Sequence, residues 1–190
     1  MIIHPVPEAE ATGDVARVYQ EDIDEVGYVP SHTKAMALNP QAWDAFHALT
    51  RAAAKPLGLR RFELVTLAAA RATGSPHCRL AHGAKSLRAG LFEADQLERI
   101  ARDPDDAGLT DAEVAMMAYA ERVASDPRGM TDADTQRLRD AGFSDAEIVD
   151  VTVAAAARVY LGVALQALAV EPDVPPILSP AVREALVEGL

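Results

Sequence analysis

Glu63 and, twelve positions later, the run Ser75-Pro76-His77-Cys78-Arg79-Leu80-Ala81-His82 hold the side chains in this sequence whose types and spacing suit joint chemistry. Cys78 is the only cysteine. If Ser75 caps a helix that starts at Pro76, the thiol falls in the first turn, near the unpaired N–H groups and the positive end of the helix dipole. Such a place favours a thiolate nucleophile. His82 lies four residues on, one turn below on the same face, a spacing at which Cys and His can exchange a proton directly or through one water. His77 adjoins the thiol. A carboxylate such as Glu63 beside the imidazole would orient the ring and stabilise its protonated form. Each residue also has a plainer role: Cys78 as a buried small hydrophobe, the histidines as ordinary interior or surface groups, Glu63 as a solvated side chain flanked by Arg60 and Arg61.

Those residues need two helices held side by side. Arg60–Thr73 reads as one, with Phe62, Val65, Leu67, Ala68 and Ala69 available for burial. Gly74 suits a left-handed C-terminal position, Ser75 a cap, and Pro76 the first position of a second helix to about Ala89. So short a connection requires an antiparallel hairpin, in which Glu63 and His82 face each other at similar depth.

Around this hairpin (59–90) the chain reads as helices throughout. About a fifth of its residues are alanine, and β-branched and aromatic types are sparse. An arm (1–11) precedes a helix from Asp14. Ser31 is expected to cap a short helix through Leu38, and Asn39-Pro40 to open a third that carries Trp43, Phe46, His47 and Leu49 and breaks at Pro56-Leu57-Gly58. A short helix over Phe92–Ala101 follows, then an acidic loop over Asp103–Gly108. Capping-box patterns start at Thr110, Thr131 and Ser144. The last opens the longest helix, to about Leu168; its middle, Val151–Leu165, is apolar nearly all round and should be central. The tail (171–190) carries Val182, Leu186 and Leu190 at helical intervals and is expected to pack on a neighbouring subunit. The whole, 1–190, reads as one all-α domain, long enough to bury about 70% of its unfolded surface.

Composition excludes several roles. A formal charge of −11 repels phosphate backbones and anionic lipid. No nucleic-acid or membrane partner is expected, and the absence of a basic, apolar leader pattern reads as cytoplasmic. A lone cysteine rules out a disulfide framework and any zinc site built on two thiolates. His77 and His82 are five apart, off the i, i+4 register of a helical metal pair, so no metal site is expected. No glycine-rich phosphate loop appears, so no cofactor is expected either.

Glu63 with the Ser75–His82 run resembles the signature of the carboxymuconolactone decarboxylase and alkylhydroperoxidase D-like superfamily, whose peroxidase branch has a glutamate followed by Cys-x-His-Cys-x-x-x-His. Segments 109–118 and 137–145 are similar to the longer, peroxidase-related members. The resemblance implies an alkylhydroperoxidase D-like helical bundle with a central antiparallel hairpin. It implies Glu63 as relay carboxylate, Cys78 as peroxide-reactive thiol, His82 as relay histidine and His77 as accessory histidine. Ser75 stands where relatives carry the first cysteine, and a serine cannot condense with a sulfenic acid. The leading expectation is therefore a one-cysteine peroxidase that takes hydrogen peroxide or a small organic hydroperoxide and relies on an external thiol or thiol protein. Two other readings stay open. One is a decarboxylase-like acid–base enzyme acting on a small lactone or acid, for which Arg79 is the only carboxylate binder in the motif and is itself expected to be solvated. The other is a non-catalytic binding or assembly module. The superfamily also implies a homo-oligomer: a dimer, trimer or hexamer.

Overall fold

The computed structural model describes residues 1–190 and contains ten α-helices and no strand. In chain order they are α1 Gly13–Val26, α2 Ser31–Met36, α3 Pro40–Leu57, α4 Leu59–Ala72, α5 Pro76–Arg88, α6 Ala94–Arg102, α7 Asp111–Ser125, α8 Asp132–Asp140, α9 Asp145–Ala167 and α10 Pro180–Val187. The local signals explain most boundaries. Asn39 accepts from the Ala42 N–H with Pro40 in the first turn of α3. Thr110 and Ser144 close reciprocal capping boxes with Glu113 and Glu147. Gly74, at φ +60°, ends α4 in the left-handed region that only glycine enters without strain.

The hairpin sits at the centre. Every residue of α4 from Phe62 to Ala70 is buried, nine in succession, so this helix has no solvent face there. Neighbours α3, α5, α7 and α9 surround it. The main apolar core joins α4 to α7, α6, α10 and the first half of α9. A second cluster, built from α1, α2, α3 and the second half of α9, encloses Cys78 and Ala70. The hairpin turn lies against α9, where Gln166 Nε2 donates to the carbonyls of Thr73 and Gly74, both at 3.0 Å.

Several expectations need correction. α9 is central on one side only, because Val149, Tyr160 and Val163 are 59, 49 and 55% exposed and form an outward stripe. Its 18-residue window of mean hydropathy 1.8 would suit a membrane span by length and composition, yet half of it is buried against the other helices. Ser31 is the first residue of α2 rather than its cap; its N–H and hydroxyl both donate to Asp173. α3 runs through Pro56 to Leu57 and stops at Gly58, φ +75°. Leu49, carried by the same helix as buried Trp43 and Phe46, is exposed. α6 starts at Ala94, so Phe92 is a buried residue ahead of the helix.

The tail packs on its own chain. α10 lies on α5 and α6, with Val182 and Leu186 in the main core. Gly83 of α5 makes the room: a Cβ there would stand 2.6 Å from Leu186 Cδ1. Leu186→Ala should therefore lower stability by about 2–5 kcal/mol in urea unfolding. Gly83→Ala should cost less in the Leu186→Ala background than in the parent, since the clash is gone. A Leu186→Ala cost below about 1 kcal/mol with additive effects would mean the tail is not docked here.

Candidate functional site

Because α4 is enclosed, Glu63 has no exposed surface. The hairpin brings His82 to it, with Nδ1 2.6 Å from Glu63 Oε2, as the antiparallel register predicts. Lys85 Nζ stands 3.8 Å from Oε1, which makes no hydrogen bond. Burial and the nearby Arg158 guanidinium hold His82 neutral, its pKa pushed down to about 4, although Glu63 pulls the other way. Burial raises Glu63, but His82, Lys85 and Arg158 outweigh it and keep the carboxylate ionised. A neutral imidazole carries one N–H. With Nδ1–H donating to Glu63, the lone pair is on Nε2, which makes this nitrogen a proton acceptor. The sequence suggests a protonated ring; the enclosure of the site reverses that.

His82 lines a cavity of about 530 Å³ between α1, α2, α3, the start of α4, α5 and α9. Trp43, Phe46, Phe62 and Leu161 supply apolar wall, and Arg51, Lys85, Arg88 and Arg158 supply cations. Trp43 stacks on Phe46 at 5.5 Å and meets the edge of His47 at 4.3 Å.

Cys78 is placed differently from a simple Cys–His pair. The residue is 1% exposed, does not line the cavity and has no hydrogen bond to His82. Its polar neighbour is Arg158 Nη1, at 3.9 Å. Ser75 Oγ, in turn, is taken up as a cap, accepting from the Cys78 N–H at 3.4 Å. His77 pairs away from the thiol, its Nε2 2.7 Å from His32 Nδ1. Arg79, expected to be solvated, is 2% exposed and donates to the Ala101 carbonyl, tying α5 to the end of α6; burial lowers it to about 10.

Arg158, His32 and Asp173 complete the site, and the motif names none of them. Arg158 is 4% exposed, faces the cavity and pairs with no carboxylate. A signal for it exists: it is the one charged residue in the apolar run Val151–Leu165, just as Glu63 interrupts α4. His32 and Asp173 carry no such signal, because α2 and the irregular segment after α9, both far from the motif in sequence, bring them in.

The sequence profile of the carboxymuconolactone decarboxylase family matches residues 37–122. No curated protein matches. Among solved structures, an uncharacterized peroxidase-related protein from Ralstonia eutropha JMP134 with an alkylhydroperoxidase AhpD core superposes with a TM-score of 0.79 at 23% identity, covering 97% of this chain and 95% of that one. A peroxidase-related protein from Silicibacter sp. TM1040 gives 0.75 at 21%, covering 91% and 89%. A variant of the debrominase Bmp8 in complex with 2,3,4-tribromopyrrole gives 0.75 at 16%, covering 98% and 96%.

Burial lowers the pKa of His32, His47, His77 and His82. As pH falls through about 6.5, the unfolded chain takes up protons that the folded chain refuses, so stability present at neutral pH is lost between about 6.5 and 4. Glu63, depressed as a carboxylate, adds loss in the same direction at lower pH. Urea midpoints should drop from about pH 7.5 to about pH 5, by up to about 1.4 kcal/mol per pH unit for each ring that stays neutral. A flat profile would show that the rings titrate normally.

Proposed function

We propose that the chain is a member of the carboxymuconolactone decarboxylase and alkylhydroperoxidase D-like superfamily and, within it, a thiol-dependent oxidoreductase that reduces hydrogen peroxide or a small hydroperoxide through Cys78. One observation carries this reading: a buried guanidinium with no carboxylate partner lies 3.9 Å from the sole thiol sulfur, one helical turn from the Glu63–His82 pair. A thiolate, or the sulfenate that replaces it, is the anion such a cation would face. The Cys78 thiolate attacks one peroxide oxygen, the O–O bond breaks, and the departing alkoxide or hydroxide takes a proton. Cys78 leaves as a sulfenic acid and the peroxide as an alcohol or water. His82 Nε2 accepts the proton that the thiol gives up and hands it on, while Glu63 holds the ring. Ser75 supplies no second sulfur. An external thiol must therefore form a mixed disulfide with release of water, and a second thiol then frees Cys78 as an external disulfide is produced. A homo-oligomer belongs to the same reading, with the outward stripe of α9 as its available apolar surface.

A second reading is favoured by the cavity wall, which includes His82 and Arg158 but not Cys78. On that reading His82 Nε2 is a general base or acid for a small carboxylic acid or lactone held by Arg158, and sulfur takes no part.

Intact-mass and peptide analysis after one equivalent of peroxide separates the two. The redox reading expects oxidised Cys78, peroxide turnover with a small thiol, loss of turnover in Cys78→Ser, and about 10²-fold slower turnover in Glu63→Gln. Unmodified Cys78 under conditions that oxidise free cysteine would overturn it. An acid–base activity that survives Cys78→Ser would establish the second reading.

A further inference from the structure

His32, His77 and Asp173 come from three separate parts of the fold: α2, the first turn of α5, and the irregular segment after α9. All three line the cavity. His32 Nδ1, His77 Nε2 and a carboxylate oxygen of Asp173 lie within 4.8 Å of one another. We propose that they form a site for a divalent transition-metal ion, open to the cavity on its fourth side.

The donor set suits such an ion. Two imidazoles and one carboxylate are the ligands of borderline cations such as Zn²⁺, Co²⁺ and Ni²⁺, and three protein ligands with a vacant position make an open rather than a structural site. The two ring nitrogens already face each other at 2.7 Å, a separation that one shared proton can bridge. An ion takes that proton's place. Around a tetrahedral ion with bonds near 2.0–2.1 Å, donors stand about 3.3 Å apart. The rings must therefore open by roughly half an ångström and the carboxylate must close in. Asp173 has that freedom, since it lies outside regular structure.

The supporting shell is present as well. Asp173 is oriented by Ser31, whose N–H reaches one carboxylate oxygen at 2.7 Å and whose hydroxyl reaches the other at 2.9 Å. Ser31 and His32 are consecutive, so one turn of α2 delivers both a ligand and the group that holds another ligand, a second layer of the kind metal sites need. The far nitrogen of His77, Nδ1, is buried without a well-formed hydrogen bond, and the backbone of Glu171 faces it. With its proton there, Nε2 keeps its lone pair for the ion. One group opposes binding: Arg158, a cation that acts on both histidines. It places the affinity below that of a dedicated structural site. A small anion in the cavity could bridge the ion and the guanidinium.

Trp43, the only tryptophan, reports on the site, its ring 5.8 Å from that of His32. Tag-free, chelator-stripped protein titrated with Co²⁺ or Ni²⁺ should show saturable quenching of Trp43 at one equivalent, and calorimetry with Zn²⁺ should give the same stoichiometry. His77→Ala and Asp173→Asn should each weaken binding at least 10-fold, and Ser31→Ala by about 10-fold. Cys78→Ser and His47→Ala should bind as the parent does. Circular dichroism of each variant checks folding, and Ser31→Ala, which removes no ligand, keeps the test decisive if His77→Ala unfolds. No saturable binding, or binding that ignores Asp173→Asn and Ser31→Ala, or binding lost in His47→Ala or Cys78→Ser, would overturn the proposal.

Discussion

A carboxylate with no exposed surface sits in the middle of the central helix, and the placement of α5 and α9 follows from it. Leaving Glu63 ionised and alone in that position would cost several kcal/mol, and removing one partner of a buried pair typically costs about 3–5 kcal/mol. The only partner that hydrogen-bonds it is His82 Nδ1, at 2.6 Å. That contact exists because Gly74, Ser75 and Pro76 reverse the chain within a few residues and fix the register of α5 on α4. Replacing this pair with apolar groups would serve stability at least as well.

A second buried charge answers the first across the core. Arg158 enters from α9, and Gln166, two turns further along that helix, clamps the carbonyls of the hairpin turn. The helix that locks the turn is thus the helix that brings the guanidinium to Cys78. Arg158 does not pair directly with Glu63; it acts at a distance, helping to keep the carboxylate ionised and His82 neutral. A neutral ring bonded to an ionised carboxylate is an acceptor on its outer nitrogen, the state that a proton relay needs at rest.

How far the sequence discloses this depends on whether the signal is local. The hairpin, its cap, the capping boxes and the Glu63–His82 contact are legible because turn chemistry and helical spacing determine them within about twenty residues. Arg158 was open to the reasoning that finds Glu63, a lone charge in an apolar helix, but it lies 80 residues from Cys78 and no spacing rule links them. His32 and Asp173 reach the cavity through tertiary packing alone. The tail shows the same limit. Its apolar period is visible, but whether Leu186 finds its own α5 or another copy is decided by the missing side chain at Gly83, a fact about shape rather than pattern.

The single thiol gains meaning from its enclosure. A second cysteine close by could resolve an oxidised Cys78 from within, but this chain has none, and the nearby Ser75 uses its hydroxyl to cap the helix under Cys78. With Cys78 1% exposed, a protein thiol on the outer surface has no direct line of attack, so on the redox reading the resolving thiol is a small molecule. On that reading the same enclosure would limit which hydroperoxides approach and slow oxidation beyond the sulfenic state. Arg158 stands at the junction of cavity and sulfur, and its Nε has no partner. A donor left unpaired in the interior is costly. An oxygen added to Cys78 would give that guanidinium an acceptor which the thiol form lacks.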